Sequence, residues 1–366
     1  MRAPPSLPGS YLVLETTNRC SLACVHCTVS EAGHPHHERV GFLSLDTVNT
    51  LLADLVRTGA SFDTLIPFWL GEPLIHRDFG AIYQAALRAC SEFGVFRRVE
   101  LHTNATHLTR DRVRVALNAA PVPQTWHLTL DADTSATYAR VKGRDRFEEV
   151  VRNMEHFLAE KARTRAPWPR PVIQFILGRN NAHEARAFRD RWQRVCARLG
   201  LPVRVAAQSV PAGDDVVLYF RQLDAPTPEA QMAENLVYRD TLAALGVQLS
   251  RPDKSPVADL GGPNTAVCAC FWKSPVVAWD GTVTTCTRDN RLENALGNLH
   301  ATPFSELWWG ARAQGWRAQA ARGDYAGLAP CQDCFIPRSA NGGEVTEGEI
   351  EGWREKWQPT APPHAP

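Results

Sequence analysis

Six times between Tyr11 and Ala207 a short β-rich run gives way to a helical pattern, and this alternation restricts the chain more than any other feature. The runs are 11–14, 62–70, 97–103, 125–131, 172–177 and 203–207. Ser44 serves as N-cap of the first helix; Leu45, Val48, Leu51, Leu52, Leu55 and Val56 keep helical spacing, and Gly59 ends it. Further helices are expected at 78–93, 109–118, Phe147 to Lys161 and 182–199. With no long antiparallel run between them, the strands are expected to pair in parallel, which gives an α/β fold. Pro211 to Pro228 reads as a linker, followed by a helix at 229–245 and a Pro- and Gly-rich loop at 250–265.

Forty basic residues against thirty-nine acidic ones leave a formal charge of +1 and no basic stripe, which argues against a nucleic-acid partner. No apolar segment approaches the roughly 20 residues of a membrane span, and the Pro-rich start lacks the apolar core of a signal peptide. A cytoplasmic location is expected. In such a compartment ten cysteines point to metal or redox work rather than to disulfides. Cys90 and Cys196 lie inside helical patterns and read as core residues; the other eight fall into two groups.

The first group is Cys20-Ser-Leu-Ala-Cys24-Val-His-Cys27, just past the first strand. Three thiolates so spaced converge at one point. Zinc would need a fourth ligand, from His26 or from the histidines of His34-Pro-His-His37, whereas an iron–sulfur cube held by three cysteines leaves one iron open. In the second group Cys268-Ala-Cys270 precedes a β-rich run, an Asp280-Gly281 hairpin signal and Cys286, with Cys331-Gln-Asp-Cys334 further on. A hairpin cysteine pair plus a C-x-x-C knuckle can supply four thiolates; by spacing alone this is either a zinc ribbon or an iron–sulfur site.

The C-x-x-x-C-x-x-C spacing after a first strand resembles the radical S-adenosylmethionine (radical SAM) superfamily, with His26 in the place of its usual aromatic residue. The resemblance implies a partial (β/α)6 TIM-like barrel over 11–210. Within it, a [4Fe–4S] cluster on Cys20, Cys24 and Cys27 cleaves S-adenosylmethionine to a 5′-deoxyadenosyl radical, with electrons from a flavodoxin or ferredoxin. Gly71-Glu72-Pro73, at the end of the second strand, matches the segment that binds the methionine amino group, with Leu70 in place of the first glycine. Asn104, Thr129 and Asp131 occupy strand ends where the family holds the cofactor's ribose and carboxylate, and Arg140, Lys142 and Arg144 compete to meet that carboxylate.

Downstream, C-x10-G-x4-C, Gly297-Asn-Leu, a Ser-Glu-Leu-Trp helix and C-x-x-C are similar to the SPASM/twitch extension of these enzymes. This implies a small α+β domain over 266–340, between a linker and helix at 211–265 and a C-terminal tail at 341–366; residues 1–10 form an N-terminal tail. No cysteine follows Cys334, so one auxiliary [4Fe–4S] cluster is expected. Its ligands are Cys270, Cys286, Cys331 and Cys334, with Cys268 as the alternate for Cys270. Such enzymes oxidise sugar-like alcohols, or modify or epimerise peptides. The first strand starts near Tyr11, leaving little room for a peptide-recognition segment, which favours a small hydroxylated substrate over a precursor peptide. The alternative from another class is a cysteine-rich zinc-binding scaffold.

Overall fold

The computed structural model describes residues 9–119, 121–207, 214–249 and 267–338. In chain order the elements are β1 (Tyr11–Leu14), α1 (Leu45–Thr58), β2 (Phe62–Ile66), α2 (Phe79–Ser91), β3 (Phe96–Thr103), α3 (Arg110–Leu117) and β4 (Gln124–Thr129). Then come α4 (Ser135–Lys142), α5 (Phe147–Thr164), β5 (Arg170–Leu177), α6 (Ala185–Leu199), β6 (Val203–Ala206), β7 (Val216–Gln222) and α7 (Pro228–Leu245). The C-terminal unit adds α8 (Cys270–Lys273), β8 (Val276–Val277), β9 (Thr282–Thr284), β10 (Gly297–Asn298), α9 (Phe304–Trp309) and α10 (Ala311–Ala320).

All ten strands form one sheet, ordered β10-β9-β8-β1-β2-β3-β4-β5-β7-β6. From β1 to β6 every pairing is parallel, as the βα alternation requires. One expectation is corrected. The stretch 211–228 is not simply a linker, because β7 lies in it and takes the place beside β5, sixth counting from β1, leaving β6 at the edge. The run Val216-Val-Leu-Tyr-Phe is apolar on both faces, as a buried parallel strand should be, but Asp214, Asp215 and the prolines at 226 and 228 give its surroundings the look of a loop.

Side chains alternate across the sheet. One face packs on the helices: Trp126 of β4 stacks on Phe157 of α5 with ring centroids 5.8 Å apart, and Phe175 of β5 meets Phe188 of α6 at 4.8 Å. Each such buried side chain contributes about 1.5–3 kcal/mol. The other face lines the barrel lumen. There Val13, Trp69, Val276 and Ala278 form a separate apolar cluster at one side, and Val172, Ala206 and Val217 another.

The C-terminal unit extends the barrel sheet. Its strand β8 runs parallel to β1, with Val276 opposite Val13 and Val277 opposite Leu14. Asp54 of α1 accepts hydrogen bonds from the Ser305 N–H (2.7 Å) and hydroxyl (3.1 Å), tying down the first turn of α9. Cys196 is fully buried and Cys90 is packed against the core, as their helical settings imply. Loop 250–265 lies outside the described residues. Among the described residues no helix is long and apolar enough to cross a membrane.

Candidate active site

The cysteine triplet sits at the carboxyl rim of the sheet, where β1 runs out into Glu15-Thr-Thr-Asn-Arg19. Backbone bonds clamp it from two sides. The Glu72 N–H donates to the Arg19 carbonyl (2.8 Å), while Ala23 and Val25 donate to the carbonyls of Lys142 (3.1 Å) and Val141 (3.0 Å) at the end of α4. Glycine is demanded at both contact points. A Cβ on Gly71 would lie 2.1 Å from the Thr17 oxygen, and one on Gly143, whose φ is +72°, would lie 2.2 Å from the Ala23 oxygen.

Gly71 and Glu72 lie where the Gly-Glu-Pro motif suggested, with Pro73 starting a 3-10 turn capped by Glu72. The Glu72 carboxylate accepts from the Thr103 hydroxyl (2.7 Å), the Leu74 N–H (3.0 Å) and the Asn104 N–H (2.7 Å). Burial raises its pKa to about 7, against these hydrogen bonds. The Asn104 amide donates toward the Cys20 sulfur at 3.6 Å, which joins the end of β3 directly to the triplet. Thr129 lies at the same rim and donates to the Thr103 carbonyl (3.3 Å).

Asp131 and Lys142 meet each other. The Lys142 ammonium donates to Asp131 Oδ2 at 2.5 Å with both groups buried, while Asp131 Oδ1 accepts from the Ile176 N–H at 2.6 Å. Asp131, at a left-handed φ of 62°, therefore acts as an anchor that ties the end of α4, and through it the triplet, to β5. Of the three candidate cations, Arg140 bonds the Thr137 hydroxyl and the Asn180 carbonyl, whereas Lys142 is the one whose charge reaches Cys24 and Cys27. His26 is buried enough to bring its pKa down to about 4, so it is neutral at pH 7.

The donor set fits an iron–sulfur cluster. The described cysteines are all free of disulfides, and desolvation raises the Cys24 and Cys27 thiols, so cluster assembly must displace protons. Of the loop histidines, His34 bonds Asn290, His36 the Asn18 carbonyl and His37 the Val29 carbonyl.

The second group gathers at the opposite end of the lumen. Cys270 precedes β8 and Cys286 follows its antiparallel partner β9, so both lie at the amino end of β1; there the Tyr11 hydroxyl feels the charges of Cys270, Cys286 and Cys268. The Cys270 thiol is within hydrogen-bonding reach of both Cys268 and Cys286, and Cys331 interacts with Cys286 and Cys334. N–H donors point at the sulfurs, from Arg288 N to Cys286 (3.3 Å) and from the Asn294 amide to Cys331 (3.4 Å), as suits cluster thiolates.

Sequence reasoning missed a polar set between the two ends. Glu100 and His102 on β3 and His127 on β4 face the lumen, and the pairing register puts His102 directly opposite His127. The signal was present: charged and imidazole side chains at alternate positions of central parallel strands, where apolar runs are the rule.

Comparison with known proteins agrees with this architecture. Residues 14–166 match the radical SAM superfamily and residues 268–335 match the SPASM iron–sulfur cluster-binding domain. The GTP 3′,8-cyclase of Synechococcus elongatus is 30% identical over 149 residues, 41% of this chain and 42% of that protein. The Actinobacillus succinogenes enzyme of the same name is 25% identical over 145 residues, 40% of each. The chain thus spans about two fifths of the length of these curated relatives. Streptococcus suis SuiB superposes with a TM-score of 0.55 at 13% identity, over 86% of this chain and 68% of that one. The structure of anSMEcpe with bound AdoMet gives 0.55 at 13% identity over 96% of both chains. At such identities the likeness speaks for the fold. With the triplet at one end of the barrel and the hairpin-and-knuckle thiols at the other, the chain belongs to the radical SAM superfamily, carries a SPASM domain, and uses S-adenosylmethionine and [4Fe–4S] chemistry.

Proposed function

We propose that this radical SAM enzyme dehydrogenates a secondary alcohol on a small, hydroxylated, sugar-like metabolite, in the cytoplasm and with a flavodoxin or ferredoxin as electron donor. The observation that carries the reading is the lumen itself, which has thiols for a cluster at each end and a polar wall between them. Arg98 pairs with Thr64, which pairs with Tyr11, so Arg98 marks the level of the C-terminal thiols. Asn104, bonded to Cys20, lies six residues further along the same strand direction, about 20 Å at 3.3 Å per residue. A molecule held between would lose hydrogen to the adenosyl radical at the rim and one electron toward the other end. The cofactors supply that chemistry; the protein's part is to position the substrate and exclude water.

A peptide side chain reaching into the same lumen is the second reading. It is favoured by the fold shared with SuiB, which has been seen bound to the precursor peptide SuiA, and with anSMEcpe, seen with the Cp18Cys peptide. Anaerobic reconstitution tests the first reading. The protein should hold about eight irons, as two cubes require, form 5′-deoxyadenosine under dithionite, and convert a cyclitol or amino sugar to a product two hydrogens lighter. Cys270→Ala, but not Cys268→Ala, should lower the iron content. Turnover of a peptide serine or cysteine with no polyol oxidised would replace this reading by the second.

A further inference from the structure

Oxidation of an alcohol through a carbon radical needs a group that takes the hydroxyl proton. We propose that His102, oriented by Glu100 and backed by His127, is this proton acceptor; the assignment rests on the dehydrogenase reading above.

The geometry is that of a positioned base. His102 Nε2 lies 2.8 Å from Glu100 Oε1, and its ring is stacked between Phe68 (centroids 5.2 Å apart) and His127 (4.1 Å, interplanar angle 11°). Burial alone would raise the Glu100 carboxyl, but the His102 hydrogen bond leads the influences that bring it down to about 2. An ionised carboxylate can only accept, so Nε2 carries the proton and Nδ1 presents a lone pair. The His102 side chain is 14% exposed, against 2% for His127 and 24% for Glu100, so of the two imidazoles it is the one a lumen ligand can touch. By register it sits two residues below Asn104, about 7 Å beneath the rim where the radical forms.

Two other readings account for less. A metal on Glu100, His102 and His127 would have to lie near both ring planes, but nearly parallel stacked rings cannot share a point in their planes. A merely structural network would be sealed from the lumen, yet Glu100 is 24% and His102 14% exposed, while the buried His127 is held behind them by Glu100 and Gln174.

The step balances as follows. The 5′-deoxyadenosyl radical takes the carbinol hydrogen and becomes 5′-deoxyadenosine, leaving a hydroxyalkyl radical. Nδ1 of His102 takes the hydroxyl proton as the C=O bond forms, and the remaining electron goes to an oxidised [4Fe–4S] centre held by the C-terminal thiols. Glu100 keeps its charge beside the resulting imidazolium.

The test uses the reconstituted holoenzyme with dithionite and S-adenosylmethionine, offered myo-inositol, scyllo-inositol and glucosamine. Ketone formed per 5′-deoxyadenosine should fall about 100-fold or more in His102→Ala, the usual scale for losing a general base. Added imidazoles should restore it in the order of their basicity, which cavity filling would not reproduce. Should His102→Ala lose iron, His102→Gln, which can still hydrogen-bond Glu100, is read instead and should be as inactive. Ketone formation within threefold of wild type in a His102 variant with its iron intact overturns the proton acceptor alone. Wild-type protein that forms 5′-deoxyadenosine but oxidises none of the three overturns the dehydrogenase reading and this assignment with it. One zinc equivalent bound by the cluster-loaded protein and lost in His127→Gln would also overturn it, in favour of a metal site.

Discussion

Replacing Lys142 by Met should destabilise the fold and loosen the cysteine triplet together. Lys142 is 2% exposed and Asp131 fully buried. Burial alone would lower the ammonium pKa, but Asp131 and then Cys24 outweigh it and raise it, so Lys142 stays charged at neutral pH. Removing one partner of a buried pair strands the other charge, at a cost of about 3–5 kcal/mol, or roughly 10²- to 10⁴-fold in the folding equilibrium. Asp131 keeps the Ile176 N–H, which places the expected loss near the lower end, about 3 kcal/mol. Urea unfolding of the apo-protein, followed by tryptophan fluorescence, reads this directly. The double variant Lys142→Met/Asp131→Asn leaves no buried charge behind and should recover a good part of the loss. A drop below about 1 kcal/mol for Lys142→Met, the scale of an exposed ion pair, would refute the claim that this pair is a desolvated anchor.

Gly143→Ala places a Cβ against the Ala23 carbonyl in a left-handed backbone, so it should cost the triplet its cluster while sparing the C-terminal set. Iron content should fall by about four atoms, one cube, and 5′-deoxyadenosine formation should cease. Glu15, buried at the end of β1, has its pKa raised by burial to about 8, partly offset by the Trp279 N–H. Its contribution to stability is complete below the unfolded value near 4.5 and is lost as pH rises through 8, a change on the order of 4 kcal/mol. Glu15→Gln, which stays neutral and can still accept from Trp279, should lose less melting temperature between pH 5 and pH 9 than the wild type. An equal loss in both would show that Glu15 is ionised throughout.

The parts of this fold that announce themselves in sequence are those where one physical rule acts alone. Ser44 and Gly59 bound α1 because capping and a left-handed φ of 70° are local requirements, and the Ser44 hydroxyl indeed accepts from the Thr47 N–H. The triplet and the C-terminal cysteines were legible because thiol spacing is chemistry written directly in the chain. β7 was not, since its pairing with β5 is set by the sheet while Asp214, Asp215 and the nearby prolines signal a turn. Asp131 was placed at the right rim, but its bond to Lys142, eleven residues away, depends on the turn of the chain through α4. Glu100, His102 and His127 escaped because only the β3–β4 register brings them together.

The strand ladder also fixes the spacing between the two cysteine groups. Strand β1 belongs to both: β2 pairs with one edge and β8 with the other, its first residue meets the C-terminal thiols, and its last leads to the triplet. The separation of the two sites is therefore fixed by hydrogen-bonded strands and not by loops. A one-residue slip of β8 against β1 would turn Val276 and Ala278 away from the lumen and bring Val277 in, breaking the apolar cluster with Val13 and Trp69. The packing that stabilises the sheet thus selects the register that sets the separation of the two cysteine groups, and the polar wall of β3 and β4 lies within that span because the same ladder continues through β2.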